Sequence, residues 1–315
     1  MNNKITWRIW GLEASLAVHD GKQIQQAKAL VDSVLTDVEL ASSRFRDDSE
    51  LMHLARTGAN ATPISATLAM LVDGALQSAR ASDGNVDPLL GHDLVQLGYD
   101  RDIQQLPQTS VHGVQISQRP LRPILWPQIK LEGNKLTLPQ GTALDLGATA
   151  KATAADWAAA RVAEELNTAV LISLGGDIAT AGVTDAPWQV IVQDTEDDPG
   201  QQISLQAGFA LATSSTRKRR WSNRGLPMHH ILDPAFGLPA EPLWSSITVA
   251  APTCLVANTY STAGIVRGTK ALDWFESLNL AARLVDSDFQ VHRTSRWPAP
   301  ASEESSTEGQ MSLYG

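Results

Sequence analysis

The sequence runs to 315 residues, 43% of them hydrophobic and 19% charged, which is apolar material enough for a substantial core and no sign of a disordered or fibrous bias. With 25 Lys and Arg against 34 Asp and Glu the formal net charge is -9, so the chain lacks the cationic footprint of a nucleic-acid-wrapping protein. A single cysteine, Cys254, excludes an internal disulfide and a cysteine-built zinc cage, and no run approaches the roughly 20 apolar residues of a membrane helix.

The opening MNNKITWRIWGLEASLAV alternates as strands do, and it has neither an apolar stretch of signal-peptide length nor a lipoprotein-type cysteine. A cytoplasmic location is expected. Ile24, Ala27, Val31, Val34 and Val38 then recur at spacings of three and four, the stripe of an amphipathic helix ending near Ser42. The segment 44–50, RFRDDSE, reads as a polar turn with Phe45 its one large apolar residue. A second helix is expected over 64–81 with Pro63 at its start, followed by an ordered loop through Gly84, Pro88 and Gly91. Residues 101–143, with prolines at 107, 120, 123, 127 and 139, read as short strands and turns.

In the second half, the Ala-rich run 152–166 is a helix with its beginning near Asp145. AVLISL at 169–174 is a buried strand closed by Gly175, Gly176 and Asp177. Further strands are expected at 188–193, 203–213 and 246–251, a helix from Pro252 to about Arg267, and a last regular piece at 281–291. Residues 1–293 are expected to form the domain, in one lobe or two, and 294–315, rich in Ser, Pro and Glu, a flexible tail. Strands and helices do not alternate strictly, so the class is α+β rather than a doubly wound parallel sheet.

Five groupings could carry chemistry. Asn258, Ser261 and Thr262 lie at i, i+3 and i+4 and put oxygen-bearing groups on one side of a helix, a pattern that suits magnesium but also suits local backbone bonding. Asp145, Lys151 and Asp156 surround a helix beginning that would accept a phosphate, or serve as a plain cap and a solvated lysine. LGGD at 174–177 allows close backbone approach or simply a tight turn. His230 and Asp233 flank a strand end in MHHILDPAFGLPA, where His230 could be a base or a packed histidine. STRKRRW at 215–221 is a basic cluster in an acidic chain, open to a phosphate, an acidic partner or solvent.

Taken in order, the segments WGLE, SRFRDDSEL, DGNVDPLLGHDLVQLGY, DLGATAKATAAD, SLGGD, ATSS, HILDPAFG and ANTYST resemble the ApbE family of magnesium-dependent FAD:protein FMN transferases over roughly residues 9–290. The resemblance implies an ApbE-like α+β fold with mixed sheets and long helices around a central FAD cleft. It implies FAD as substrate, Mg²⁺, and transfer of FMN to a Thr or Ser hydroxyl of an acceptor flavoprotein with release of AMP. FAD hydrolysis to FMN and AMP, and FAD binding without catalysis, are the alternatives. By position, Trp10, Phe45, Asn85, Val86, Asp87, Lys151, Trp157, His230 and Leu232 correspond to FAD contacts. Asn258, Ser261, Thr262 and the carbonyl of Ala154 correspond to metal ligands, and His230 to the group that activates the acceptor hydroxyl. Here Asn258 stands where the family has aspartate, Ala148 and Ala152 where it usually has glycines, and Trp10 and Leu12 where it usually has methionine and threonine.

Overall fold

The computed structural model describes residues 3–106 and 120–300. Eight strands form one antiparallel sheet: Lys4–Ile9 (β1), Leu12–Val18 (β2), Val170–Leu174 (β3), Asp177–Ala181 (β4), Ala210–Ser215 (β5), Trp244–Ala251 (β6), Ala281–Asp286 (β7) and Val291–Arg293 (β8), lying side by side in that order. Each pairs with its neighbour in the series, so the sheet is a meander whose connections carry everything else. Between β2 and β3 come the helices Ile24–Ser42 (α1), Glu50–Thr57 (α2), Ala66–Ala81 (α3), Gly91–Gln96 (α4) and Ala150–Leu166 (α5). Between β6 and β7 come Cys254–Arg267 (α6) and Ala271–Ser277 (α7).

Alternation along the strands separates two faces. Ala14, Leu16, Val18, Val170, Ile172, Leu174 and Ala212 share a core with Val31 and Val34 of α1, Leu68 and Leu71 of α3, and Ala155 and Val162 of α5. On the other side Leu171, Ile178 and Leu211 pack under the hairpin Trp188–Val192/Gln201–Leu205 and Trp297. A sheet covered on both faces by unlike elements is the expected α+β class. Among the described residues no helix is long and apolar enough to cross a membrane.

The stripe on α1 is buried as expected and the helix stops at Ser42. Four expectations change. The expected turn at 44–50 gives way to helix at its last residue, Glu50, where α2 begins with Ser49 Oγ accepting the Met52 N–H at 3.1 Å. The run 203–213 is two strands, Gln201–Leu205 and Ala210–Ser215, parted by a turn at Gly208 with φ +81°. The run 281–291 is likewise two strands, β7 and β8, paired with each other. Finally, Thr294 and Trp297 are buried, so the chain stays packed beyond the expected start of the tail, whose residues 301–315, like Pro107, lie outside the described residues.

Candidate active site

A cleft of about 780 Å³ opens at one end of the sheet, within the usual range for small-molecule sites. Two hairpin turns build its floor. Trp10 and Gly11, at φ +51° and +71°, join β1 to β2, with Ile9 and Leu12 as the closing pair. Gly175 and Gly176, at φ +65° and +100°, join β3 to β4 between Leu174 and Asp177. Two-residue turns with positive φ match strand twist, which gives the paired glycines their reason. A Cβ on Gly175 would meet Leu12 Cδ1 at 2.9 Å, so this turn is also packed against the first.

Helix α5 begins at the cleft, and Ala148, Ala150 and Lys151 line it. Lys151 Nζ forms an ion pair with Asp177, whose side chain is buried. The same carboxylate accepts a 3.4 Å hydrogen bond from Asn258 Nδ2 on α6. Asn258 is 5% exposed and its Oδ1 has no hydrogen-bond partner. A buried carbonyl oxygen without a donor is costly, and it is the kind of atom a cation or ligand donor satisfies. Thr262, one turn later, also lines the cleft and shares a 2.8 Å hydrogen bond with Ser214. Asp156 of α5 accepts the N–H groups of Cys254 and Leu255 at 2.8 and 2.9 Å, so one helix caps the other and sets where Asn258 and Thr262 stand. Burial raises the Asp156 pKa, and the two N–H donors pull it back in part.

Further lining comes from 43–47, 85–87, 99–103, 213–215, 218–219 and 230–232. Arg44 pairs with Asp145 and lies over the rings of Phe45 and Tyr99; Tyr99 stacks on Trp221 with centroids 5.0 Å apart. The 82–87 loop leaves α3 through Asp83 and Gly84 at positive φ, and Val86 N–H is held by Ser82 Oγ at 3.0 Å. Burial raises the pKa of Asp87, against the Leu89 N–H and Arg122 that favour its charge. His230 has an unpartnered buried Nδ1. Burial, then its neighbours Arg219, His229 and Lys151, push its pKa well below the ordinary histidine value, so the ring is held neutral.

The structure thus gathers Trp10, Phe45, Asn85, Val86, Asp87, Lys151, His230, Leu232, Asn258 and Thr262 around one cleft. Three expected residues do not line it. Trp157 is six residues beyond Lys151, about 600° around α5, and packs against the main core. Ala154 is fully buried in the second turn of α5, where its carbonyl belongs to the helix ladder. Ser261 is fully buried, with its hydroxyl bonded to Ser214 and to the Asn258 carbonyl. Asp156 was picked out by sequence reasoning only as part of a phosphate-accepting helix beginning, and Tyr99 and Arg219 were not singled out as site residues, although the basic run at 215–221 was the signal for the last.

A family model described as the ApbE family matches residues 1–284. The FAD:protein FMN transferase of Haemophilus influenzae is 28% identical over 273 residues, 81% of this chain and 77% of that protein. The protein of the same description from Salmonella typhimurium is 26% identical over 316 residues, 93% of this chain and 84% of that one. Among solved structures, the ApbE protein of Thermotoga maritima superposes with a TM-score of 0.78 at 22% identity, covering 93% of this chain and 96% of the other. The apo flavinyl transferase ApbE of Pseudomonas stutzeri gives 0.75 at 22% identity, covering 93% and 94%. The folds are the same.

Proposed function

The chain belongs to the ApbE family, and from that premise we propose that it is an FAD:protein FMN transferase, moving FMN from FAD to a Thr or Ser hydroxyl of an acceptor flavoprotein and releasing AMP. The observation that carries the reading is the convergence of Lys151, His230, Asn258 and Thr262 on one cleft, with His230 Nδ1 and Asn258 Oδ1 buried and unpartnered. The proposed catalytic unit is residues 1–293, since the cleft draws on residues from Trp10 to Thr262 and β8 closes the sheet.

In the proposed step the acceptor hydroxyl oxygen forms a bond to the FMN phosphorus, the bond from that phosphorus to the bridging oxygen breaks, and AMP leaves with the electron pair. The hydroxyl proton passes to His230, which the burial of its ring keeps free to receive it. Lys151 offers its charge to the diphosphate, exchanging Asp177 for a phosphate oxygen. Trp10 and Phe45 offer ring faces to the flavin or adenine, and Asn85, Val86, Asp87 and Leu232 shape the pocket.

The donors present fit Mg²⁺: Asn258 Oδ1 is a hard oxygen in want of a partner, and Thr262 Oγ1 lies on the same helix side. Ala154 and Ser261, which do not line the cleft, are left out of this proposed set. When bound, the ion supplies neutralisation of phosphoryl charge. Both protein donors are neutral, so the affinity for Mg²⁺ without FAD is expected to be low, with FAD itself contributing the charge.

The test is to incubate the protein with FAD, Mg²⁺ and candidate acceptor flavoproteins and to read acceptor mass. A gain of one FMN phosphoester, abolished by acceptor Thr or Ser replacement, is expected. AMP release at the same rate without acceptor, and no mass gain on any, would make it an FAD hydrolase instead; FAD binding with neither would make it a binder.

A further inference from the structure

Four consecutive basic residues, 217–220, leave the end of β5, and the structure resolves them one at a time. Ser215 Oγ accepts the N–H of Arg217 at 3.1 Å and of Lys218 at 3.3 Å, and donates to Asp194 Oδ2 at 2.6 Å. Lys218 Nζ pairs with Asp194 at 2.8 Å, and Arg217 pairs with Asp198 while lying over the Phe289 ring. The carboxylates of Asp194 and Asp198 are both 1% exposed, so the anchors are part of the folded body. Arg220 enters the short strand Arg220–Asn223 opposite His229 and is engaged there too. Arg219 remains. It is half-buried, lines the cleft, and sits at φ +51°, a left-handed conformation that costs an arginine free energy and persists because its surroundings fix it.

The other cations lining the cleft are spoken for: Arg44 by Asp145, Arg46 by Asp48, Arg101 by Asp100, Lys151 by Asp177 and Lys218 by Asp194. Among the described residues Arg219 has no ion pair. It lines the same cleft as Tyr99 and His230, and its charge lowers the pKa of both groups, against burial at Tyr99 and with burial at His230. An unneutralised, half-buried guanidinium in a cleft is a binding site for an anion, and its planar fork suits a phosphate.

We propose that Arg219 binds a diphosphate oxygen of FAD on the His230 side of the cleft, and that Asp194 is a positioning residue that holds the 215–219 turn so that this one guanidinium faces inward. This rests on reading the cleft as an FAD site. With a neutral residue at 258, a fixed cation takes a larger share of the charge that the bond cleavage develops.

Flavin fluorescence titrations of FAD into the full chain test it, with Arg219→Gln, Arg219→Lys, Asp194→Asn and, as a control for net charge, the exposed Lys130→Gln. The expected result is a Kd raised about 10- to 100-fold by Arg219→Gln, the loss of one charge-assisted contact. Arg219→Lys should recover part of that loss, Lys130→Gln should bind as the parent, and Asp194→Asn should add nothing to Arg219→Gln in the double variant. Parental affinity in Arg219→Gln, or equal losses for Gln and Lys, overturns the assignment of Arg219; additive losses in the double variant overturn the role of Asp194. Failure of the parent protein to bind FAD sinks the function reading itself, a separate outcome.

Discussion

Asn258 joins a charge deficit to a buried vacancy in hydrogen bonding. Its amide donates to Asp177 across 3.4 Å and leaves Oδ1 without a partner. Asn258→Asp replaces that donor with a second carboxylate beside a buried one, which is unfavourable unless a cation lies between or near them. The variant is therefore expected to melt lower than the parent in chelator, to gain more from Mg²⁺ than the parent gains, and to bind Mg²⁺ about tenfold or more tightly by calorimetry. Equal responses of both proteins to Mg²⁺ in thermal melts would remove Asn258 from the metal site. His230 makes a different prediction. Because burial and the cations around it keep the ring neutral, the acid limb of the rate should fall below the ordinary histidine range near pH 6.5. His230→Gln should lower transfer by roughly 10²- to 10⁴-fold while FAD affinity changes little. A parent profile that breaks at pH 6.5, with the break absent in His230→Gln, would contradict the neutral-ring assignment.

At the scale of elements, what mattered most to the site is a contact between helices. Asp156 satisfies two N–H groups at the beginning of α6, where Thr253 Oγ1 already accepts from Val256 at 3.2 Å. Asp156→Ala strands buried donors and is expected to cost about 1–2 kcal/mol in urea unfolding, with weaker FAD binding because α6 carries Asn258 and Thr262. An unchanged midpoint with unchanged FAD affinity would show that α6 is seated by its apolar face alone. Gly175→Ala tests the floor: positive φ and a Cβ 2.9 Å from Leu12 together predict loss of stability and a displaced Trp10 turn, seen as a changed tryptophan emission. These elements were unequally legible. The stripe on α1, the glycine pair and the run of α6 depend on local spacing, and spacing is in the sequence. The turning of Trp157 away from the cleft follows from 100° per residue once Lys151 is placed, but nothing local says which side of α5 or α6 faces the cleft, nor that Ser261, on the same helix side as Asn258, engages its hydroxyl with Ser214. That Asp156 reaches residues 98 and 99 positions later is a tertiary fact with no local trace.

For the whole molecule, the meander joins strands separated by as many as 151 residues of inserted helices and loops, and order of that kind depends on which strand edges are left to pair. It is why the α+β class was legible while the pairing of β2 with β3 was not. The same tertiary burial that hides the sheet fixes the molecule's response to acid. His229 and His230 both have pKa values lowered by burial, with His229 Nε2 already engaged with the Ala240 carbonyl at 2.8 Å. In the unfolded chain both imidazoles take protons near pH 6.5, whereas in the folded chain they do so only at lower pH. As pH falls below 6.5 the unfolded state therefore binds more protons, and stability declines until the folded-state pKa values are reached. Each histidine contributes up to about 1.4 kcal/mol per pH unit across that window. The raised pKa values of Asp87 and Asp156 act in the opposite sense, since protonation of a buried carboxyl favours the folded chain, and they oppose the decline toward the carboxylate range. Melting temperatures should thus be flat between pH 7 and 8, fall by several degrees between pH 6.5 and 5.5, and fall less in His229→Gln, whose amide can keep the bond to Ala240 without a titrating ring. A parent protein as stable at pH 5.5 as at pH 7.5, or a His229→Gln variant with the parental slope, would mean that these imidazoles are hydrated enough to protonate in place.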